Sequence, residues 1–90
     1  MHYLYIIYSK SINRYYVGES PDIIRRLDQH NTHYFKKAAD DWKIVVAMKL
    51  NSKSDAIYLE KFIKRMKSKT FIQKIIKNND ILEDILNKKT

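Results

Sequence analysis

The chain has 90 residues, a formal net charge of +8 and no cysteine. That length makes one domain over residues 1–90, able to bury somewhat more than ~60% of its unfolded surface. The cysteine count excludes disulfide staples and thiolate metal sites. No apolar run approaches the ~20 residues of a membrane span, which leads us to expect a soluble, cytoplasmic protein with no membrane partner.

His2 to Tyr8 is dense in aromatic and β-branched residues and reads as a strand. Tyr3, Tyr5 and Ile7 share one face, and Leu4, Ile6 and Tyr8 the other. Both faces are apolar, which predicts a central strand covered on both sides. Ser9 to Asn13 is a short polar connection. Arg14 to Gly18 is a second strand, with Arg14, Tyr16 and Gly18 facing one way. Antiparallel pairing of the two strands can place Tyr5 and Tyr16 on the same sheet face.

Gly18 and Pro21 are the only glycine and proline in the chain. We expect Gly18 to end the strand at a crowded turn, Ser20 to cap a helix and Pro21 to open it. That helix runs from about Asp22 to Asn31. Ile23, Ile24 and Leu27 form its buried side, and Asp22, Arg26 and His30 form a column on another side. Thr32 to Asp41, carrying His33, Tyr34, Lys36 and Lys37, reads as a loop.

Trp42 to Leu50 is a third strand, in which Ile44, Val46 and Met48 alternate with Val45, Ala47 and Lys49. Ser52 to Asp55 resembles a capping box. A helix follows to about Ser68, with Ala56, Leu59, Phe62, Ile63 and Met66 as its apolar stripe. Phe71 to Ile76 predicts a short helix, Asn78 and Asn79 break it, and Ile81 to Leu86 predicts a last one. The order β-β-α-β-α-α-α describes an α/β protein of the α+β type, a small three-stranded antiparallel sheet flanked by helices.

The charge is uneven. Every charged side chain from Lys61 to Asn79 is basic, a one-signed run that suits a polyanion. A lysine-rich solvated helix surface accounts for it equally well.

Tyr3-Leu4-Tyr5 and Tyr16-Val17-Gly18, joined by a short hairpin, resemble the two triplets of the GIY-YIG nuclease family. Arg26 stands at the distance of that family's helix arginine, and Asp55 to Lys64 resembles its segment with one metal-binding glutamate, here Glu60. The likeness covers about residues 2 to 77. It is closest to small stand-alone bacterial members, and similar to the nuclease domain of the excision-repair endonuclease. Tyr3 and Leu4 depart from the family's glycine and isoleucine.

The resemblance implies an endonuclease that hydrolyses DNA phosphodiesters with one Mg²⁺ or Mn²⁺ ion on Glu60. The alternative role of Glu60 is an i,i+4 salt bridge to Lys64. Arg26 is the expected phosphate clamp, or a partner of Asp22. Tyr5 is the expected general base and Tyr16 its positioner, provided that nearby cations favour the phenolate. His30 is the rival base, or a helix cap. Arg14, Arg25, Lys61, Lys64, Arg65, Lys67 and Lys69 are the expected nucleic-acid contacts. Without a further recognition domain, a structure-directed activity in repair or recombination is expected, with a homodimer or partner protein as the source of any added specificity. The alternative function is a non-catalytic nucleic-acid-binding module of the same fold.

Overall fold

Strand β1 (His2–Ser9) is the middle of a three-stranded antiparallel sheet of order β2-β1-β3 in a computed structural model that describes residues 1–34 and 39–89. Lys36 and Lys37 of the expected loop lie outside the described residues. Strand β2 (Arg14–Ser20) pairs along one edge of β1 and β3 (Trp42–Leu50) along the other. Four α-helices complete the described chain: α1 (Ile23–Gln29), α2 (Lys53–Met66), α3 (Lys69–Lys77) and α4 (Asp80–Asn87). A π-helical segment (His30–Tyr34) continues α1, so the helical run extends beyond the expected boundary at Asn31.

The two faces of β1 enter two separate cores. Leu4 and Ile6 pack with Val17, Val46, Leu59, Ile63, Ile75 and Leu82 beneath α2, α3 and α4. Tyr5 and Ile7 pack with Ala39, Trp42, Tyr16, Ile23, Leu27 and Ile44 beneath α1. Each fully buried aliphatic side chain contributes ~1.5–3 kcal/mol relative to exposure.

The expected alternation in β3 fails at one point. Ile6 pairs with Val46 but Ile7 pairs with Ile44, so a bulge takes up Val45. Ile44 therefore joins the α1 core, while Val45, Val46 and Met48 join the other.

Side-chain caps set the starts of three of the four described α-helices. Ser52 and Ser68 accept from the N–H groups of Asp55 and Phe71, at 3.2 and 3.1 Å. Ser68 thus starts α3 rather than ending α2, which stops where Lys67 turns left-handed at φ 48°. The expected start of α1 also shifts. Strand β2 runs on through Gly18 to Ser20, and Asp22 is the cap, accepting from Arg25 N–H at 3.0 Å. Ile24 and Met66, expected on buried faces, are 68% and 47% exposed. Among the described residues, no helix is long and apolar enough to cross a membrane.

Candidate active site

Tyr5 is placed by the centre of the sheet and is 1% exposed. It pairs across β1–β2 with Gly18, and its ring lies directly over that residue. A Cβ at position 18 would stand 2.5 Å from the Tyr5 Oη and 2.6 Å from Cζ. Gly18 is therefore required by the approach of the phenol, in mid-strand and with no positive φ. The strand-ending turn expected there does not form.

Tyr16 pairs opposite Ile7, two pairs along from Tyr5 and so on the same face, and the two rings are 6.4 Å apart. His30, 2% exposed, comes in from the end of α1 where the π segment begins. Its ring lies 4.5 Å from that of Tyr16, and its Nε2 lies 3.4 Å from the Tyr5 Oη. Trp42 flanks it at 6.1 Å. Asn31 fixes this corner. Its Oδ1 accepts from Trp42 N–H at 2.8 Å and its Nδ2 donates to the Trp42 carbonyl at 3.2 Å. One side-chain amide thereby does the work of a missing strand neighbour.

Arg26, one turn before His30, donates a hydrogen bond to the Tyr5 phenol and another from Nη1 to Gln29 Oε1 at 3.2 Å. The alternative role named for it is a side-chain pair with Asp22, but that carboxylate caps Arg25 N–H at 3.0 Å, and the 3.2 Å bond from Arg26 N–H to the Asp22 carbonyl is an ordinary backbone bond of the first helical turn. On the other core's side, Lys64 Nζ lies 5.4 Å from the Tyr16 ring centroid and 3.0 Å from Glu60 Oε2. The i,i+4 pair expected as the alternative for Glu60 is thus present. The same lysine ties the carboxylate to the tyrosine edge of the site. The charge of Glu60 also reaches Tyr5, where it opposes ionisation.

Burial dominates the electrostatics. Desolvation pushes the Tyr5 phenol up to about 12. The neighbouring Tyr16 and Glu60 push the same way, and Arg26 opposes them. The expected depression of the phenol by cations is thereby reversed, and Tyr5 keeps its proton at neutral pH. Desolvation, assisted by the Arg26 charge, lowers His30 to about 4. A neutral imidazole therefore faces a neutral phenol.

The structure brings Tyr5, Tyr16, Arg26 and His30 into direct contact and reaches Glu60 through Lys64. A strand-glycine-helix unit carrying two phenols, an imidazole and a guanidinium, with a carboxylate within electrostatic reach, coincides with the model of the GIY-YIG catalytic domain, which matches residues 1–75. The chain belongs to the GIY-YIG family. This is a nuclease-type domain, and the family is generally endonucleolytic and dependent on a divalent metal. No curated protein and no solved structure matches the chain.

Of the expected nucleic-acid contacts, Arg14, Lys64, Lys67 and Lys69 gather around a single cavity beside Tyr16. Arg25 lines a different hollow at the start of α1, with Arg26 and Gln29. Lys61 and Arg65 are exposed on α2. Trp42 and Asn31 were not anticipated as parts of the site. The only available signal for Trp42 was a lone tryptophan at the start of a strand, and the Asn31 bonds cross 11 residues of chain.

Proposed function

We propose that this domain is a divalent-metal-dependent endonuclease that hydrolyses DNA phosphodiesters in a structure-directed way, in repair or recombination. The observation that carries the reading is the Arg26–Tyr5–His30 contact line, with the Glu60 charge felt at Tyr5.

The donor chemistry fits a hard cation. Glu60 offers carboxylate oxygen within electrostatic reach of Tyr5, and its side chain retains 21% exposure, so an ion can reach it. Among the described residues there is no cluster of three or more His, Cys, Asp or Glu side chains. One carboxylate suffices for Mg²⁺ or Mn²⁺, which keep several waters and take substrate phosphate as further ligands. Glu60 would hold the ion, and the ion would supply Lewis-acid stabilisation of the phosphate and a more acidic water.

The chain's own groups account for the rest. Arg26, charged at any working pH, stabilises charge building on the phosphate oxygens. A phenol near 12 is a poor free base, but a hydroxyl bonded to a neutral imidazole can pass a proton on. Tyr5 takes the proton of the attacking water as its own moves to His30 Nε2. In this reading Tyr5 relays the proton and His30 receives it, so the two rival bases act in series. Tyr16, packed on both rings, fixes their orientation.

The test is a panel of labelled DNA structures incubated with Mg²⁺ or Mn²⁺. We expect cleavage of at least one structure. We also expect Glu60→Gln to lower the rate by ~10²-fold or more without shifting the thermal melt. Equal rates in the variant would remove the metal role. The Glu60–Lys64 pair favours a second reading, a binding module without cleavage. That reading predicts no cutting across the panel, with log affinity falling against log salt at a slope of about −5.

A further inference from the structure

A cavity of about 360 Å³ lies between β2 and the α2–α3 turn, sharing Tyr16 and Lys64 with the site above. Arg14 and Tyr15 of the edge strand line it, as do Lys67, Lys69 and Ile72. Among the described residues, four cations surround it and no acidic side chain does. A second hollow of about 380 Å³ also has Tyr15 in its wall, together with Lys77, so the two adjoin at that ring.

The trough is built rather than accidental. The Tyr15 ring is backed by Tyr8 at 4.7 Å. Lys69 sits 5.9 Å from the Tyr15 centroid and is anchored there, its Nζ donating to the Asn13 carbonyl at 3.2 Å. The left-handed turn at Lys67, followed at once by the Ser68 cap, brings α3 sharply back alongside β2.

We propose that this trough holds a single unpaired strand of the DNA substrate next to the scissile phosphate, one base taking the place of the Lys69 ammonium over Tyr15 and the backbone along the four cations, Lys69 swinging out to join the other three. The proposal rests on the endonuclease reading and names its substrate class. The cavity is at the small end of the ~300–1,000 Å³ range of ligand sites, which is room for one nucleotide rather than a stacked pair. An aromatic wall attracts only a base whose face is not already covered by its neighbours, as in single strands. A rim of one sign selects a polyanion. A second copy of this chain, itself carrying +8, is repelled from the same rim.

The test measures fluorescence anisotropy of labelled dT12 and of a 12-base-pair duplex, without divalent ions so that binding is separate from cutting. We expect dT12 to bind about tenfold more tightly than the duplex, with a salt slope of about −3 for four phosphate contacts. The exposed double substitution Lys67→Ala/Lys69→Ala should bring that slope to about −1. Tyr15→Leu should weaken dT12 binding by about tenfold or more, while Tyr15→Phe retains it. Equal affinity for dT12 and duplex, or an unchanged slope in the lysine variant, overturns the proposal. If Tyr15→Leu does not fold, the lysine variant decides. Nicking of duplex by a protein that ignores dT12 overturns the trough alone. The expected binding pattern with no cutting on any structure supports the trough and counts only against the endonuclease reading.

Discussion

The two faces of β1 are built to different ends. Beneath α2, α3 and α4 the buried residues are aliphatic, and the inward stripe of α2 carries no charge: Ala56, Leu59 and Ile63. Beneath α1 the buried set includes a phenol and an imidazole, and a guanidinium reaches the phenol from the exposed side of the helix. The first face is stabilised by packing alone. The second keeps ionisable groups dry, which costs stability but leaves both neutral and within reach of each other. The packing core and the buried phenol–imidazole pair are thus divided by the thickness of one sheet, with Glu60 and Lys64 of α2 at the seam between them, and substitutions in the two buried sets should be separable.

The largest expected effect tests the packing face. Leu59 is fully buried between α2 and the sheet. Leu59→Ala should cost ~2–5 kcal/mol, read from urea unfolding, by lost transfer energy and the cavity left behind. Because His30 lies across the sheet, its titration should stay near 4 by NMR. A change there would show that the faces are coupled.

The next effect belongs to the other face alone. His30 titrates at about 4 when folded and at the ordinary 6.5 when unfolded. The unfolded chain therefore binds more protons between those values, and stability rises with pH across that window. The full contribution is present above pH 6.5 and is lost as pH falls towards 4, by about 3 kcal/mol. His30→Gln should flatten the dependence. Asp41, held below the carboxylate range chiefly by the Ser9 hydroxyl, and Asp55, held there chiefly by Lys89, act at lower pH and leave the window clear.

How much of each face the sequence reveals differs for the same reason. The packing face announces itself through local periodicity: the α2 stripe, the two short helices after it and the serine at the start of α2 are all visible within a few residues. So are the strands, and with them the shared face of Tyr5 and Tyr16. What escapes depends on partners distant in the chain. The bulge at Val45 comes from pairing with Ile6 and Ile7 and sends Ile44 to the opposite core from Val46. Local spacing places Ile24 and Met66 inward, but no described element covers them. The direction of the Tyr5 shift also hides, because nearby cations show in sequence whereas complete burial of the phenol is a property of the assembled sheet.

Gly18 joins the two kinds of information, and its substitution is the third test. Its position is plain in the sequence but its reason lies in the opposite strand. Gly18→Ala places a methyl against the Tyr5 hydroxyl, and the ring must move because the sheet backbone cannot. The overpacking should cost ~1–3 kcal/mol. The displaced hydroxyl should lose its alignment with His30, lowering cleavage by ~10²-fold. Activity should thus suffer more than stability, the reverse of Leu59→Ala.

The smallest expected effect falls on the seam between the faces. Lys64 belongs to α2 by sequence but touches Tyr16 on one side and Glu60 on the other. Its side chain is 50% exposed, so the ion pair contributes only ~0.3–0.5 kcal/mol, and Lys64→Met should scarcely alter the melt. That weakness has a use. An ammonium that lets go of Glu60 cheaply can yield the carboxylate to a divalent ion. Removing it should tighten Mn²⁺ binding by about twofold, measured from the free-ion EPR signal. Mn²⁺ affinity unchanged in Lys64→Met would mean that the ion, if bound, does not compete with this lysine. The seam would then be a structural contact, and the carboxylate whose charge reaches Tyr5 would have to be assigned an electrostatic role alone.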